Sequence, residues 1–279
     1  MDPRPINQQL AGKLNIPSLP EVIIRLNELI DRGDVRMSEL GEQLALDPPL
    51  AAKALRIANS AYFGLRVPVE SIEHAASVLG MRSLKSMVMQ ALVLDLFRNL
   101  EVIPDFDPRE VWKRSVVASR VAMDLPRRRL GGASYEDLQL CGLLHDIGEF
   151  VLVDHFGERY SKLLKQVAES GEDLVAAEER VLGVSHVELG VLVAQVWKLP
   201  ESVARVAEFH HDLEGVAAHD PLVAHIAYCD AIVDAARLDL VIEDSKDWLP
   251  AGPRDLLGYR RTELEPCLRR ARMLWGRSA

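Results

Sequence analysis

His145 and Asp146 stand side by side in Cys141-Gly-Leu-Leu-His-Asp-Ile-Gly148, at the end of an apolar helical run. One residue offers an imidazole and the next a carboxylate to a single metal ion, and the Gly that follows marks an expected turn. The dipeptide alone is common. Here it precedes His186, His210-His211 and Asp230, all on segments of helical periodicity or at their ends. His145, Asp146, His186, His210 and Asp230 are enough ligands for one Zn, Fe or Mn ion, and a metal so held makes hydroxide from water near neutral pH. Adjacent helical residues point about 100° apart, so His210 and His211 are not both expected to face one ion. His74 is assigned to packing or hydrogen bonding. His155, His219 and His225 are assigned to the surface or to helix ends. No Gly-rich phosphate loop, nucleophile elbow or Cys-His nucleophile pair is present.

Helices must position these groups. Val22, Leu26, Leu29 and Ile30 form a stripe at helical spacing. Asp47-Pro48 is an N-cap followed by Pro at the first helical position, Ser71 caps a helix that Gly80 ends, and Ser83 opens another. Asp107-Pro-Arg-Glu110 is a capping box, and Ser134 to Asp137 caps the helix that delivers His145-Asp146. His186 begins a helix, Pro200 starts one ending at His210-His211, Asp220-Pro221 starts the one carrying Asp230, and Thr262 to Glu265 caps the last. No stretch alternates with β-branched residues between hairpin turns, so the expected fold is all-α. The segment Glu101 to Asp107, with its proline and acidic residues, marks the division into residues 1–104 and 105–279, the second holding every candidate ligand. Residues 243–258 are expected to form an exposed loop. In Asn59-Ser-Ala-Tyr-Phe-Gly64, Tyr62 and Phe63 are expected to plug the core while Gly64 turns the chain.

Composition narrows the function classes. Apolar residues make up 48% of the 279, as in ordinary folded domains, and no apolar run approaches the roughly 20 residues that span a bilayer. The first residues lack a signal-peptide pattern. The three cysteines are odd in number and widely spaced, which argues against disulfides or a thiolate metal site and points to the cytoplasm. A formal net charge of −9 argues against sequence-independent nucleic-acid binding. Arg127-Arg-Arg129 and Arg269-Arg270 with Arg272 are assigned to solvated helix ends, with a partner surface as the alternative.

Several longer motifs carry a family resemblance. They are Ile16-Pro-Ser-Leu-Pro20, Asp47-Pro-Pro-Leu-Ala-Ala-Lys-Ala-Leu-Arg-Ile-Ala-Asn-Ser-Ala-Tyr-Phe-Gly64, Ser71-Ile-Glu-His-Ala-Ala-Ser-Val-Leu-Gly80, Leu143-Leu-His-Asp-Ile-Gly148, Gly183-Val-Ser-His-Val-Glu-Leu-Gly190 and Trp197-Lys-Leu-Pro-Glu201. Together they resemble an HDOD domain, the HD-related output domain of bacterial signalling proteins, over roughly residues 10 to 240. The resemblance implies a multi-helical HD-like fold with an N-terminal helical half, and a regulatory module without catalysis. It also implies one or more signalling proteins as partners. The length suggests that nothing else is fused to it.

The C-terminal half is also similar to the HD-GYP phosphodiesterases, which hydrolyse cyclic di-GMP with two or three metals. Those enzymes carry an early His where alignment of Trp112-Lys-Arg-Ser115 puts Arg114, and a Lys where this chain has Glu149. They continue into a Gly-Tyr-Pro signature, where this chain has His210-His-Asp-Leu-Glu-Gly-Val-Ala-Ala218. A guanidinium keeps its proton and cannot ligate a metal, but it can supply a metal's charge by pairing with Asp146 or Asp230. The expectation is therefore a vestigial pocket of Arg114, His145, Asp146, His186, His210 and Asp230, with no resident cofactor. The alternatives kept open are one divalent ion with Arg114 facing solvent, a metal-dependent phosphohydrolase or cyclic di-GMP phosphodiesterase, and a small nucleotide sensed without turnover.

Overall fold

Where the chain carries a capping residue ahead of an apolar stripe, it folds as a helix. The computed structural model of the protein describes residues 16, 19, 21–31, 36–60, 63–97, 100, 102–104, 106–240 and 251–277. Pro17, Ser18, Pro20, Tyr62, Glu101, Asp105 and residues 243–250 of the expected loop lie outside the described residues, as do the side chains of Leu26 and Ile30. Among the described residues there is no strand, only an isolated bridge between Ile103 and Phe106, and the fold is all-α. No helix among them is long and apolar enough to cross a membrane. The chain divides into two compact units, Pro17–Asn99 and one that contains Leu100–Ala279.

The first unit comprises α1 (Glu21–Asp31), α2 (Met37–Ala45), α3 (Pro48–Ala58), α4 (Ile72–Leu79) and α5 (Met81–Leu96). Asp47 caps α3 by accepting from the Leu50 N–H at 3.1 Å, and Ser71 caps α4 by accepting from the His74 N–H. The Asn59 amide clips onto both backbone groups of Val69, at 2.8 and 2.9 Å, and so closes the loop between α3 and α4. Phe63 is half-buried. Two expectations are corrected here. Ser83 lies inside α5, which starts directly after Gly80, where a backbone at φ +86° lets one helix end and the next begin. The His74 side chain is exposed on α4 and is not a packing group.

The second unit comprises α6 (Pro108–Asp124), α7 (Tyr135–Leu144), α8 (Ile147–Phe156), α9 (Glu158–Ser170), α10 (Leu174–Leu182), α11 (His186–Val196), α12 (Glu201–Phe209), a 3-10 turn (Val216–Ala218), α13 (Pro221–Arg237), α14 (Ala251–Leu257) and α15 (Arg261–Arg277). Local chemistry starts these helices. Asp107, Asp173 and Asp220 accept from backbone N–H groups of the first turn, and Ser134 with Asp137 forms a reciprocal capping box. The last start differs from expectation. The helix begins at Arg261, and Glu263 accepts from the Arg260 N–H at 2.8 Å, so Thr262 is not the cap. Helix α6 packs against α7, α13 and α15, while α11 packs against α8 and α12. The α13 stripe of Val223, Ile226, Ile232 and Val233 is fully buried, at about 1.5–3 kcal/mol for each side chain, which fixes the helix that presents Asp230.

Arg127, Arg128, Arg129 and Arg269 are exposed, as assigned, and the arginine clusters also make contacts within the chain. Arg128 pairs with Glu263, Arg129 donates to the Leu256 carbonyl at 2.6 Å, and Arg127 lies over the Tyr135 ring. Arg272 donates to the Leu240 carbonyl, and Arg270 lies 3.5 Å from Asp124.

His225 corrects another expectation. It is fully buried in α13, where Nε2 lies 2.8 Å from the Ala122 carbonyl and Nδ1 lies 2.6 Å from the Tyr259 hydroxyl. These partners suit a neutral ring that donates from Nε2 and accepts at Nδ1. Burial pushes its pKa down to about 4, against the pull of the Ala122 carbonyl. A pKa depressed in the folded state means that the unfolded chain binds more protons, so the stability is full above about pH 6.5 and is lost toward pH 4. We expect the step from pH 7 to pH 5 to cost roughly 2 kcal/mol through this residue. Urea unfolding of the parent and of His225→Gln at both pH values checks this, and equal losses in the two proteins would contradict it.

Candidate functional site

The His-Asp pair sits in the break between two helices. His145 ends α7 and Asp146 stands at the N-cap position of α8. An aspartate there would ordinarily turn its carboxylate back onto the helix N–H groups; Asp146 makes no such bond and directs both oxygens into the site. The chain turns at the pair itself, not at Gly148, which corrects the sequence expectation. Gly148 lies within α8, and a Cβ there would fall 1.9 Å from the His186 carbonyl oxygen and 2.8 Å from the Gly190 nitrogen. The glycine is there to let α11 approach and bring His186 to the pair. Gly142 does the same for α7 and α6, since a Cβ would fall 2.7 Å from the Ser119 Cα.

The histidine rings are each tied at Nδ1. His145 Nδ1 faces the Gly142 carbonyl at 3.0 Å, His186 Nδ1 faces Glu178 Oε2 at 2.7 Å, and His210 Nδ1 faces the Val206 and Ala207 carbonyls at 3.0 and 3.1 Å. Each therefore donates from Nδ1 and turns Nε2 inward. His210 Nε2 lies 3.0 Å and His186 Nε2 3.9 Å from Asp146 Oδ1, while His145 Nε2 lies 3.1 Å from Asp146 Oδ2 and 3.5 Å from Asp230 Oδ1. His145, Asp146 and His186 are wholly buried, and Asp230 is partly exposed.

Arg114 enters the same space from α6. Its Nη2 pairs with Asp146 Oδ2 and lies 3.0 Å from Glu149, and its Nε lies 3.7 Å from Asp230. Burial penalises every charge here, and the outcome depends on which partner opposes it. Burial alone would raise the Asp146 carboxyl, but the facing His145 and Arg114 hold it well below its ordinary value. Burial pushes Glu149 up despite Arg114. Burial likewise opposes a charged His145, yet Asp146 lifts that ring to about 10.

The structure thus brings all six sequence-assigned residues together: Arg114, His145, Asp146, His186, His210 and Asp230. It adds three more. His211 joins Asp146, His186 and His210 in one cluster whose candidate ligand atoms lie within 4.8 Å of one another, and His145, Asp146 and Asp230 form a second. The expected 100° divergence of His210 and His211 fails because α12 ends at Phe209; the two rings sit in the turn after it, 4.1 Å apart. Glu149 presses on Arg114. Glu178 accepts from the His186 backbone N–H at 2.8 Å, from its ring, and from the Tyr160 hydroxyl at 2.9 Å. Glu178 escaped notice, although it interrupts the buried stripe of α10 between Ala177 and Leu182, and an acid in such a stripe is a signal. The donor types suit a divalent transition metal, and His145 Nε2, His186 Nε2 and Asp230 Oδ1 are buried without a hydrogen-bond partner.

The comparisons with known proteins bear on the family and the fold. The family model for the HDOD domain matches residues 16–213. Among solved structures, the chain is similar to a candidate phosphohydrolase from Shewanella amazonensis SB2B, at 25% identity with a TM-score of 0.76, covering 96% of each chain. It is also similar to an HDOD domain protein from Geobacter sulfurreducens, at 25% identity and TM-score 0.70, covering 96% of this chain and 91% of that one. A candidate signal transduction protein from Marinobacter aquaeolei VT8 shares the fold at 22% identity and TM-score 0.71, over 98% of this chain and 61% of that one. A curated protein of Treponema pallidum (strain Nichols) is 27% identical over 256 residues, which are 91% of this chain and 48% of the relative. The chain therefore spans about half the length of the curated relative it matches.

Proposed function

This chain belongs to the HDOD domain family, and from that premise we propose that it is a regulatory signal-transduction module, acting by binding a protein partner and not by catalysis. The observation that carries this reading is Arg114. Its guanidinium lies among Asp146, Glu149 and Asp230, at the position where the HD-GYP enzymes that this half resembles carry a histidine. A charge that cannot leave stands on one side of the Asp146 carboxylate, and a guanidinium cannot accept the lone pair of water and so cannot lower its pKa as a bound metal ion does. The three buried thiols, Cys141, Cys229 and Cys267, suit the cytoplasm as its compartment. A small nucleotide remains a second candidate ligand beside the protein partner.

The competing reading is a metal-dependent phosphohydrolase. It is favoured by the three imidazoles that face Asp146 and by the likeness to the Shewanella protein. Full-length protein incubated with cyclic di-GMP and Mn2+ or Fe2+ separates the two. We expect no hydrolysis above the metal-only control. Metal-dependent turnover that disappears in Asp146→Ala would overturn the regulatory reading.

A further inference from the structure

Two basic runs that lie far apart in the sequence meet on one face of the second unit. Arg128 and Arg129 follow the end of α6, while Arg260, Arg261, Arg269 and Arg270 lie on α15 or directly before it. Three carboxylates join them. Arg128 forks onto Glu263, at 2.5 and 3.0 Å, and Arg260 reaches the same carboxylate at 3.3 Å. Glu265 stands between Arg261 at 2.6 Å and Arg269 at 3.8 Å, and Arg270 lies 3.5 Å from Asp124. These six guanidiniums outnumber the three carboxylates among them, on a chain whose formal net charge is −9. The charge meets water: the side chains of Arg260, Arg261 and Arg269 are 75%, 59% and 67% exposed. Its effect shows at Glu263, whose carboxyl the Arg128 guanidinium holds down to about 2. Exposed ion pairs contribute only about 0–1 kcal/mol each, so the fold does not call for this concentration of charge. Leu264, Leu268 and Leu274 anchor α15 from its buried side.

We infer that this face, built from the end of α6 and the outer side of α15, docks a carboxylate-rich segment of a protein partner. Every cation counted in it is an arginine. A planar guanidinium binds two carboxylate oxygens at once, as Arg128 already does with Glu263, and a lysine ammonium does not. A partner's acidic side chains would take up the excess guanidinium charge in the same geometry. The acidic remainder of the chain would repel an extended nucleic acid that ran past the face. A membrane surface would need apolar side chains to insert, and α15 turns its leucines inward. The inference rests on the reading of the chain as a protein-binding module and names the face and the partner's charge. Turnover of cyclic di-GMP would sink that reading without touching the peptide binding tested below.

The test is fluorescence anisotropy of a fluorescein-labelled oligoglutamate peptide titrated with the full chain. Saturable binding that weakens as salt is added is expected in the parent. The double variant Arg260→Glu with Arg269→Glu should melt like the parent and bind the peptide roughly tenfold more weakly or worse. The neutral pair Arg260→Gln with Arg269→Gln should shift affinity in the same direction by less, which separates charge from folding. Lys162→Glu with Lys165→Glu, the same change in charge on the exposed side of α9, should bind as the parent does. Three results would overturn the inference: no binding by the parent, an equal loss in the α9 pair, or binding to oligothymidylate or phosphatidylserine vesicles as tight as to the peptide.

Discussion

Arg114→Ala is expected to destabilise the protein by roughly 3–5 kcal/mol, the usual loss when one partner of a buried charge pair is removed. The guanidinium is shared by Asp146, Glu149 and Asp230, and Asp146 is wholly buried. Without it these carboxylates repel one another at short range, Asp146 with no exposed surface. Protonation would relieve the repulsion at the expense of the contacts that His145 and His210 make to Asp146. A loss of this size should lower the melting temperature on the order of 10 °C for a unit of this length. Arg114→Lys should fall between the two, because one ammonium cannot span three carboxylates as the planar fork does. Differential scanning calorimetry reads both. A variant Arg114→Ala that melts with the parent would make Arg114 a surface residue and remove the charge argument.

The second large effect is expected at Gly148. A methyl group there would collide with backbone on two sides, the His186 carbonyl and the Gly190 nitrogen, and neither can rotate away. Overpacking a core commonly costs about 1–3 kcal/mol, and a collision with backbone belongs at or beyond the top of that range. Gly148→Ala should therefore cost roughly 3 kcal/mol or more and move His186 away from Asp146. Gly276 in α15 is the control. A Cβ there meets nothing within 4 Å, and Gly276→Ala should be neutral or slightly stabilising through helix propensity. Urea midpoints that fall equally for the two variants would contradict this account of α8 and α11.

The all-α fold was legible because its helices announce their own starts. Asp47, Ser71, Asp107, Ser134 and Asp220 each carry a side-chain acceptor ahead of an apolar stripe, and each caps the helix expected of it. The site was legible as a set of residue types in order, because metal-ligand chemistry draws on few side chains. What remained hidden depended on tertiary approach. Nothing near His225 in sequence shows that Ala122 and Tyr259 enclose it. The convergence of His210 and His211 follows from the exact residue at which α12 ends, and helix ends are the least certain feature of a sequence pattern. Gly148 looked like a turn because glycine usually marks one, whereas here it is spent on a close approach between helices. Arg114 could be aligned with a ligand position, but only the packing of α6 against α13 carries its guanidinium to Asp230.

The central claim is that the pocket carries its own cation. The most direct measurement is a crystal structure of the full chain grown with excess Co2+, with an anomalous difference map collected at the cobalt edge. The account predicts the Arg114 guanidinium bracketed by Asp146, Glu149 and Asp230, with no anomalous peak between Asp146 Oδ2 and Asp230. A peak at that place, with the Arg114 side chain turned out to solvent, would contradict it.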